Sequence, residues 1–274
     1  MTFADCTLTV AGPRIHYLDW GTAGKRPLIL LHGIARCARN FDHLAPHFAR
    51  DYHVLSVDMR GHGDSEWDPE GGYLVEDYTR DVEGLIDALE LRDIVLWGNS
   101  TGGRVAQMIG GLRPEIVSAI IVEDVGPERP PTISNRRAGR MAQEENGWAS
   151  ADELFEKTKK DYSLTPDAVL RNFVEHASKR RADGRIVWKR DPAILKGFVP
   201  TELWDTVRKI EAPILYILGG ASTIVPPETQ AQLVETLPQA EIVKMPGLGH
   251  YPSDEQPKAF IEIVERFLGE AIPT

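Results

Sequence analysis

The sequence predicts an α/β fold in which a doubly wound, mostly parallel eight-stranded sheet is covered by helices on both faces and carries an inserted helical cap. Two patterns support this prediction. Short apolar runs alternate with longer segments of helical periodicity, and one long segment lacks that alternation. The length of 274 residues and the hydrophobic content of 42% are sufficient for one large core, so we expect a single core rather than several domains.

The apolar runs predict eight strands. The first two are separated by a turn at Gly12-Pro13 and are expected to pair as an antiparallel hairpin, whereas the others are expected to be buried strands. In chain order the predicted strands are Cys6 to Val10, Ile15 to Trp20, Pro27 to Leu31, His53 to Asp58, Ile94 to Trp97, Ile116 to Glu123, Pro213 to Leu218 and Glu241 to Met245.

Two amphipathic helices, Tyr73 to Leu91 and Gln256 to Leu268, are expected to cover the sheet, because each places apolar side chains on one face. The segment 127–200 has a proline-rich start, helical patches at Ala151 to Lys160 and Asp167 to Lys179, and no convincing buried strand. We therefore predict that residues 1–126 and 201–274 form the core and that residues 127–200 form the cap.

Charge, hydrophobic patterning and cysteine count exclude several classes of function. The formal net charge of −10 and the isoelectric point near 5.3 argue against electrostatic binding to nucleic acid or an anionic membrane, because both select basic surfaces. No stretch reaches membrane-spanning length, and the first ten residues do not resemble a signal peptide. Cys6 and Cys37 are too few for a multi-bridge disulfide framework, which favours the cytoplasm. We expect a monomer or homodimer that acts on a small molecule.

A nucleophile motif follows the strand predicted at Ile94 to Trp97. The residues Gly98-Asn99-Ser100-Thr101-Gly102 match the pattern G-x-S-x-G, and a helix is expected to begin near Arg104. Glycines on both sides of the serine allow a sharp turn that lifts its hydroxyl above the sheet, at the N-terminus of a helix. A strand-to-helix turn without catalysis is the plainer alternative, and the motif alone does not exclude it.

A second loop, His32-Gly33, closes the strand predicted at Pro27 to Leu31 and is expected beside this elbow. The backbone N–H groups of Ile34 and Thr101 would then converge on one point. Two donors there stabilise the oxyanion of a tetrahedral intermediate. His32 itself is interpreted as a structural residue of the loop.

A histidine occurs where a general base is needed. The strand predicted at Glu241 to Met245 ends in the loop Pro246-Gly247-Leu248-Gly249-His250, just before the last helix. From the carboxyl end of a strand, His250 can reach the proton of Ser100. A surface histidine without a catalytic role is the alternative.

Together, the elbow, the His32-Gly33 loop and the Gly249-His250 loop resemble the α/β-hydrolase superfamily, in the branch that contains esterases, amidases, haloalkane dehalogenases and carbon–carbon bond hydrolases. The resemblance covers nearly the whole chain outside the cap. It implies the α/β-hydrolase fold and a catalytic triad in the chain order serine, acid, histidine. Ser100 departs from the dehalogenases, in which the nucleophile is an aspartate.

The resemblance also reveals a displaced acid. Most relatives place the triad acid on the loop after the strand corresponding to Pro213 to Leu218, but Ser222 occupies that position here. A hydroxyl cannot carry the charge that stabilises an imidazolium. Asp124, after the preceding core strand, is our candidate, because some members of the superfamily place the acid there. Glu123, Glu228 and a dyad without an acid stay open.

These residues predict a serine hydrolase that cleaves an ester, amide or carbon–carbon bond of a small molecule through an acyl-enzyme. No cofactor or metal is expected, because the chain lacks a glycine-rich nucleotide loop and a histidine-rich ligand cluster. Two alternatives stay open. The displaced acid also resembles cofactor-free dioxygenases of N-heteroaromatic rings, and the serine at position 222 is compatible with a hydrolase-derived ligand receptor.

The cap region and one core loop supply the candidate substrate-binding residues. The cap carries 15 Lys+Arg and 11 Asp+Glu, so its charge is +4 while that of the remaining chain is −14. With the displaced acid, this resembles hydrolases that open acidic products of heterocycle catabolism, although a solvated surface would carry the same charge. The candidates for a substrate carboxylate are Arg36, Arg136, Arg137 and Arg140, and those for an apolar pocket are Trp148 and Trp188.

Overall fold

The computed structural model describes residues 2–10, 12–129, 144, 146–195, 199 and 201–272. Twelve strands lie in this part of the chain. They are β1 (Ala4–Thr9), β2 (Arg14–Asp19), β3 (Pro27–Leu31), β4 (His53–Asp58), β5 (Ile94–Asn99), β6 (Val117–Glu123), β7 (Glu128–Arg129), β8 (Ser178–Arg180), β9 (Ile186–Trp188), β10 (Thr201–Glu202), β11 (Ile214–Gly219) and β12 (Ala240–Met245).

Eight of these strands form the main sheet, in the order β1-β2-β4-β3-β5-β6-β11-β12. The pairs β1–β2 and β2–β4 are antiparallel, and the remaining pairs are parallel. This confirms the predicted eight-stranded, mostly parallel sheet with an antiparallel hairpin at its start. The carboxyl ends of β3, β5, β6, β11 and β12 therefore meet at one edge, where α/β sheets bind their ligands.

Nine α-helices occur in the described ranges. They are α1 (Ala45–Phe48), α2 (Val75–Ala88), α3 (Thr101–Leu112), α4 (Ala151–Asp161), α5 (Asp167–Ala177), α6 (Trp204–Val207), α7 (Pro227–Thr236), α8 (Pro252–Glu255) and α9 (Pro257–Ala271). Short 3-10 turns cover residues 38–41, 114–116 and 192–195.

The sheet separates two hydrophobic cores. On one face, Val82 and Ile86 of α2 pack in a cluster with Val105 of α3. On the other face, Trp97 of β5 stacks on Phe260 of α9, with ring centroids 5.1 Å apart. Helices thus cover both faces, as the apolar periodicity of α2 and α9 indicates.

The segment between β6 and α6 builds a smaller layer around α4 and α5. Ser150 caps α4 by accepting a hydrogen bond from Glu153 N (3.1 Å), and apolar residues of both helices form a separate buried cluster with Cys37 of the core. Short strands accompany these helices, because β8 pairs with β9, and β7 pairs with β10. Strands of two or three residues are too short to give an apolar pattern. The predicted cap boundaries stay a prediction.

None of the helices described by the structure is long and apolar enough to cross a membrane.

Candidate active site

Ser100 occupies a strained turn between β5 and α3. Its backbone dihedrals are φ 50° and ψ −115°, and its N–H donates to Glu123 O at 3.0 Å. Positive φ is costly for a residue with a side chain and is concentrated at functional turns. The helix begins at Thr101, earlier than the predicted start near Arg104, because the chain enters helical geometry directly after the strained serine.

The loop after β3 lies directly against this turn. Gly102 N donates to His32 O at 3.1 Å, and a Cβ at Gly33 would lie 3.2 Å from the Ser100 Cβ and 2.6 Å from Asn99 Oδ1. Only glycine fits at position 33 without displacing the serine turn. The structure therefore brings the two predicted loops together.

The amides of Ile34 and Thr101 are placed on these two loops. Both residues are 2% exposed, and within the described ranges neither N–H donates to a protein acceptor. The next amide, Ala35 N, donates to His62 Nε2 at 3.1 Å, and Ala35 has a positive φ of 66°. The Ile34 amide is thus available to a ligand, while the next amide, that of Ala35, is fixed by His62.

His62 holds this loop as a neutral imidazole. Its Nδ1 donates to Arg60 O (2.9 Å), which leaves Nε2 as the acceptor for Ala35 N. Complete burial lowers the pKa of His62 to about 3, so the ring stays uncharged at neutral pH. Sequence analysis missed this residue, because it belongs to a turn after β4 and contacts the loop only in three dimensions.

His250 and Asp124 are in direct contact. The imidazole Nδ1 lies 2.7 Å from Asp124 Oδ2, and the Asp124 side chain is 1% exposed. Asp124 follows β6, next to the strand that carries Ser100, and has a positive φ of 47°. The structure thus pairs the predicted base with the predicted acid and holds Ser100 at the end of the adjacent strand. The contact between Ser100 and His250 stays a prediction.

Ser222 also contacts this carboxylate. Its hydroxyl donates to Asp124 Oδ2 at 2.5 Å, and Gly219 N donates to Asp124 Oδ1 at 3.0 Å. Ser222 therefore holds the Asp124 carboxylate with a hydrogen bond. Glu228, an alternative acid in the sequence prediction, is exposed on α7.

Glu123 points elsewhere, although it is adjacent to Asp124 in the chain. Its carboxyl is completely buried and accepts from Ser253 N at 2.8 Å. Burial raises the pKa of Glu123 to about 7. This residue therefore ties the end of β6 to the segment that follows His250.

Three of the predicted substrate-binding residues lie in the described part of the chain, and their contact with a substrate stays a prediction. Arg36 is buried, and its Nη1 lies 2.8 Å from Asp254 Oδ2. Trp148 and Trp188 meet edge to face, with centroids 5.7 Å apart, and line a cavity that also touches Ala35. Arg136, Arg137 and Arg140 lie outside the described residues.

One cluster of possible metal ligands occurs among the described residues, formed by His16, Asp58 and Asp64. Both ring nitrogens of His16 are already engaged, by Asp58 at 2.7 Å and Asp5 at 3.0 Å, and Asp64 pairs with Lys189 at 2.8 Å. This arrangement is a hydrogen-bonded network that joins β2 to the end of β4.

Comparison with known proteins shows the family of this chain. A family model described as the alpha/beta hydrolase family matches residues 28–263. The chain belongs to the α/β hydrolase family. Among curated members, it is 29% identical to the sn-1-specific diacylglycerol lipase ABHD11 of Mus musculus, over 90% of this chain and 82% of that protein. It is 28% identical to the 3-hydroxybutyrate-oligomer hydrolase of Cupriavidus necator, over 97% and 96% of the two chains.

Solved structures of other α/β hydrolases have the same fold. A crystal structure of E-2-(acetamidomethylene)succinate hydrolase superposes with a TM-score of 0.90 at 22% identity, covering 97% of this chain and 99% of that one. An α/β hydrolase from Novosphingobium aromaticivorans superposes with a TM-score of 0.85 at 26% identity, covering 98% and 99%. The predicted fold and the predicted membership in a family of hydrolases are therefore confirmed.

Proposed function

We propose that this α/β hydrolase is a serine hydrolase that cleaves an ester, amide or carbon–carbon bond of a small molecule, with Ser100 as nucleophile, His250 as general base and Asp124 as acid. The main support is the 2.7 Å contact between His250 Nδ1 and Asp124 Oδ2, since Asp124 follows β6, the neighbour of the strand that ends at the serine turn. The names of relatives, which include a lipase, an oligomer hydrolase and esterases, agree with hydrolysis of an ester.

In the proposed mechanism, Ser100 Oγ attacks the substrate carbonyl while His250 Nε2 accepts the hydroxyl proton. Asp124 holds the Nδ1–H of His250 and stabilises the imidazolium. The tetrahedral oxyanion binds to the Ile34 and Thr101 amides. His250 then protonates the leaving group, and the C–X bond breaks. Water, activated by His250, finally attacks the acyl-enzyme and releases the acid.

Labelling with a fluorophosphonate tests this proposal. We expect the probe to lose fluoride and to transfer one phosphonyl group to Ser100 of the wild-type protein. Peptide mass spectrometry detects this group. Ser100→Ala should remain unlabelled and should not hydrolyse p-nitrophenyl butyrate. Absence of labelling and of turnover in the folded wild type would contradict the proposal and favour a ligand receptor.

Oxygen uptake separates the hydrolase from the dioxygenase alternative. A dioxygenase would use the His250–Asp124 pair to deprotonate a ring hydroxyl and would consume oxygen with each turnover. We expect the rate of ester hydrolysis to be the same in air and under argon. An oxygen-dependent rate with a hydroxylated N-heteroaromatic compound would contradict the hydrolase assignment.

A further inference from the structure

Arg36 is a buried cation two residues after the candidate oxyanion donor Ile34. Its side chain is 4% exposed, and its ion pair with Asp254 is equally buried, at 5% exposure for the carboxylate side chain. Burial opposes the charged form, but Asp254 and the neighbouring tyrosines outweigh it and raise the pKa of Arg36. A charge enclosed in this way needs its partner, because an unpaired buried charge is strongly destabilising.

The carboxylate partner of Arg36 belongs to the segment that carries the candidate base. Asp254 lies in α8, which begins two residues after His250. The same segment is fixed by Ser253, whose N–H donates to Glu123 and whose carbonyl lies 3.1 Å from His43 Nε2. The ion pair therefore links the loop after β3, which carries Ile34 and is here called the oxyanion loop, to the segment after β12 that carries His250.

Three aromatic rings surround the guanidinium. Its central carbon lies 3.9 Å from the ring centroid of Tyr251, 4.8 Å from that of Phe173 and 5.0 Å from that of Tyr162. Tyr251 follows His250, and the two rings have centroids 4.7 Å apart. Phe173 and Tyr162 belong to the layer of α4 and α5. One cation thus contacts three separate parts of the fold.

We propose that Arg36 is a positioning residue, which holds the His250 loop and the α4–α5 layer in register with the oxyanion loop. The proposal rests on the proposed serine-hydrolase function. It differs from the expectation that Arg36 binds a substrate carboxylate, since it assigns the charge of Arg36 to its ion pair with Asp254. A catalytic group misplaced by about 1 Å can lose a hundredfold in rate, so loss of this contact should lower turnover more than substrate binding.

The test compares Arg36→Met and Arg36→Lys with wild type on a neutral ester, p-nitrophenyl butyrate, and an anionic one, mono-p-nitrophenyl succinate. We expect Arg36→Met to lower kcat about 10- to 100-fold on both esters, with KM within about threefold, and to slow fluorophosphonate labelling in parallel. Arg36→Lys keeps the charge without the planar stacking and should recover part of kcat.

Arg60→Met is the matched control. It removes another buried arginine, with side-chain exposure of 5%, whose partner Asp81 is 3% exposed. We expect this variant to lose stability in urea without a comparable fall in kcat. If Arg36→Met does not fold, Phe173→Leu removes one ring from the cap side and should lower kcat about threefold or more while KM changes less.

The outcomes are distinguishable. Unchanged kcat and labelling in folded Arg36→Met, or in Phe173→Leu where Arg36→Met does not fold, would overturn the positioning role. So would an increase in KM for the anionic ester alone, which would indicate contact with a substrate carboxylate. An unlabelled and inactive wild type would instead overturn the serine-hydrolase proposal itself.

Discussion

The two oxygens of Asp124 have different partners. Oδ1 accepts from Gly219 N at the end of β11, while Oδ2 lies between the Ser222 hydroxyl and His250 Nδ1. These contacts orient the carboxylate towards the imidazole. The side chain therefore has the geometry of a triad acid, although it follows a different strand from that of most relatives.

Asp124→Asn should lower kcat by about 10³- to 10⁴-fold, because the amide cannot stabilise the imidazolium and can favour the wrong histidine tautomer. The measurement is kcat on p-nitrophenyl butyrate together with circular dichroism to verify folding. Glu228→Gln, which removes an exposed carboxylate of α7, should keep wild-type kcat. Retention of more than a tenth of kcat in folded Asp124→Asn would contradict the assignment.

At the scale of elements, the start of α3 is packed against the end of β3. A Cβ at Gly102 would lie 2.1 Å from Leu31 O, a backbone atom that cannot move without disturbing the strand. Near the other end of the chain, Gly269 lies on the exposed side of α9, and a Cβ there would meet nothing within 4 Å. The same substitution is therefore expected to have opposite effects at the two positions.

Gly102→Ala should lower the free energy of unfolding by about 3 kcal/mol or more, through overpacking at the strand end. Gly269→Ala should raise it by about 1 kcal/mol, because alanine is the better helix former. Urea denaturation followed by circular dichroism measures both values. A Gly102→Ala protein as stable as wild type would show that α3 and β3 are not in the close contact described here.

Buried strands were the easiest elements to predict from the sequence. The bounds of β3 and β4 agree with the structure, because each is a short apolar run between turn residues. Strands β7 to β10 could not be predicted, since they have two or three residues and depend on partners distant in the chain. Helix α2 is shorter at both ends than the predicted Tyr73 to Leu91. Asp77 caps its start at Leu74 N, and the chain after its end turns through Glu90, which has a positive φ of 53°.

The residues of the candidate site also differ in how far the sequence could predict them. Ser100 and His250 could be proposed from local motifs, and Asp124 from the serine that replaces the usual acid. The contact of Arg36 with Asp254 and that of His62 with Ala35 have no local pattern, because each depends on how separate loops pack. Glu123 could be placed at the end of a strand, but only the fold reveals that its carboxyl accepts from Ser253 N.

For the whole molecule, Glu123 couples global stability to pH. Its folded pKa is raised from 4.5 to about 7, so the unfolded chain loses this proton first as pH rises. The contribution of Glu123 is complete below pH 4.5 and is lost as pH rises through about 7. The contribution of this carboxyl to stability is therefore smaller in neutral than in mildly acidic solution.

We expect the stability of wild type relative to Glu123→Gln to fall by roughly 3 kcal/mol between pH 4.5 and pH 7.5, since glutamine cannot titrate. Urea denaturation of both proteins across this range gives the difference, in which the other titrating groups cancel. A difference that does not vary with pH would contradict a raised pKa at this position.

The short contact between Ser222 and Asp124 has a consequence for how such enzymes diverge. Ser222 Oγ lies only 2.5 Å from Asp124 Oδ2. A carboxylate after β11 at position 222 would therefore lie where the carboxylate after β6 already lies. A chain bearing aspartate at both positions would keep one of them protonated, because like charges so close cannot both ionise. The acid can thus migrate between strands through an ancestor that never lacked a carboxylate beside its histidine.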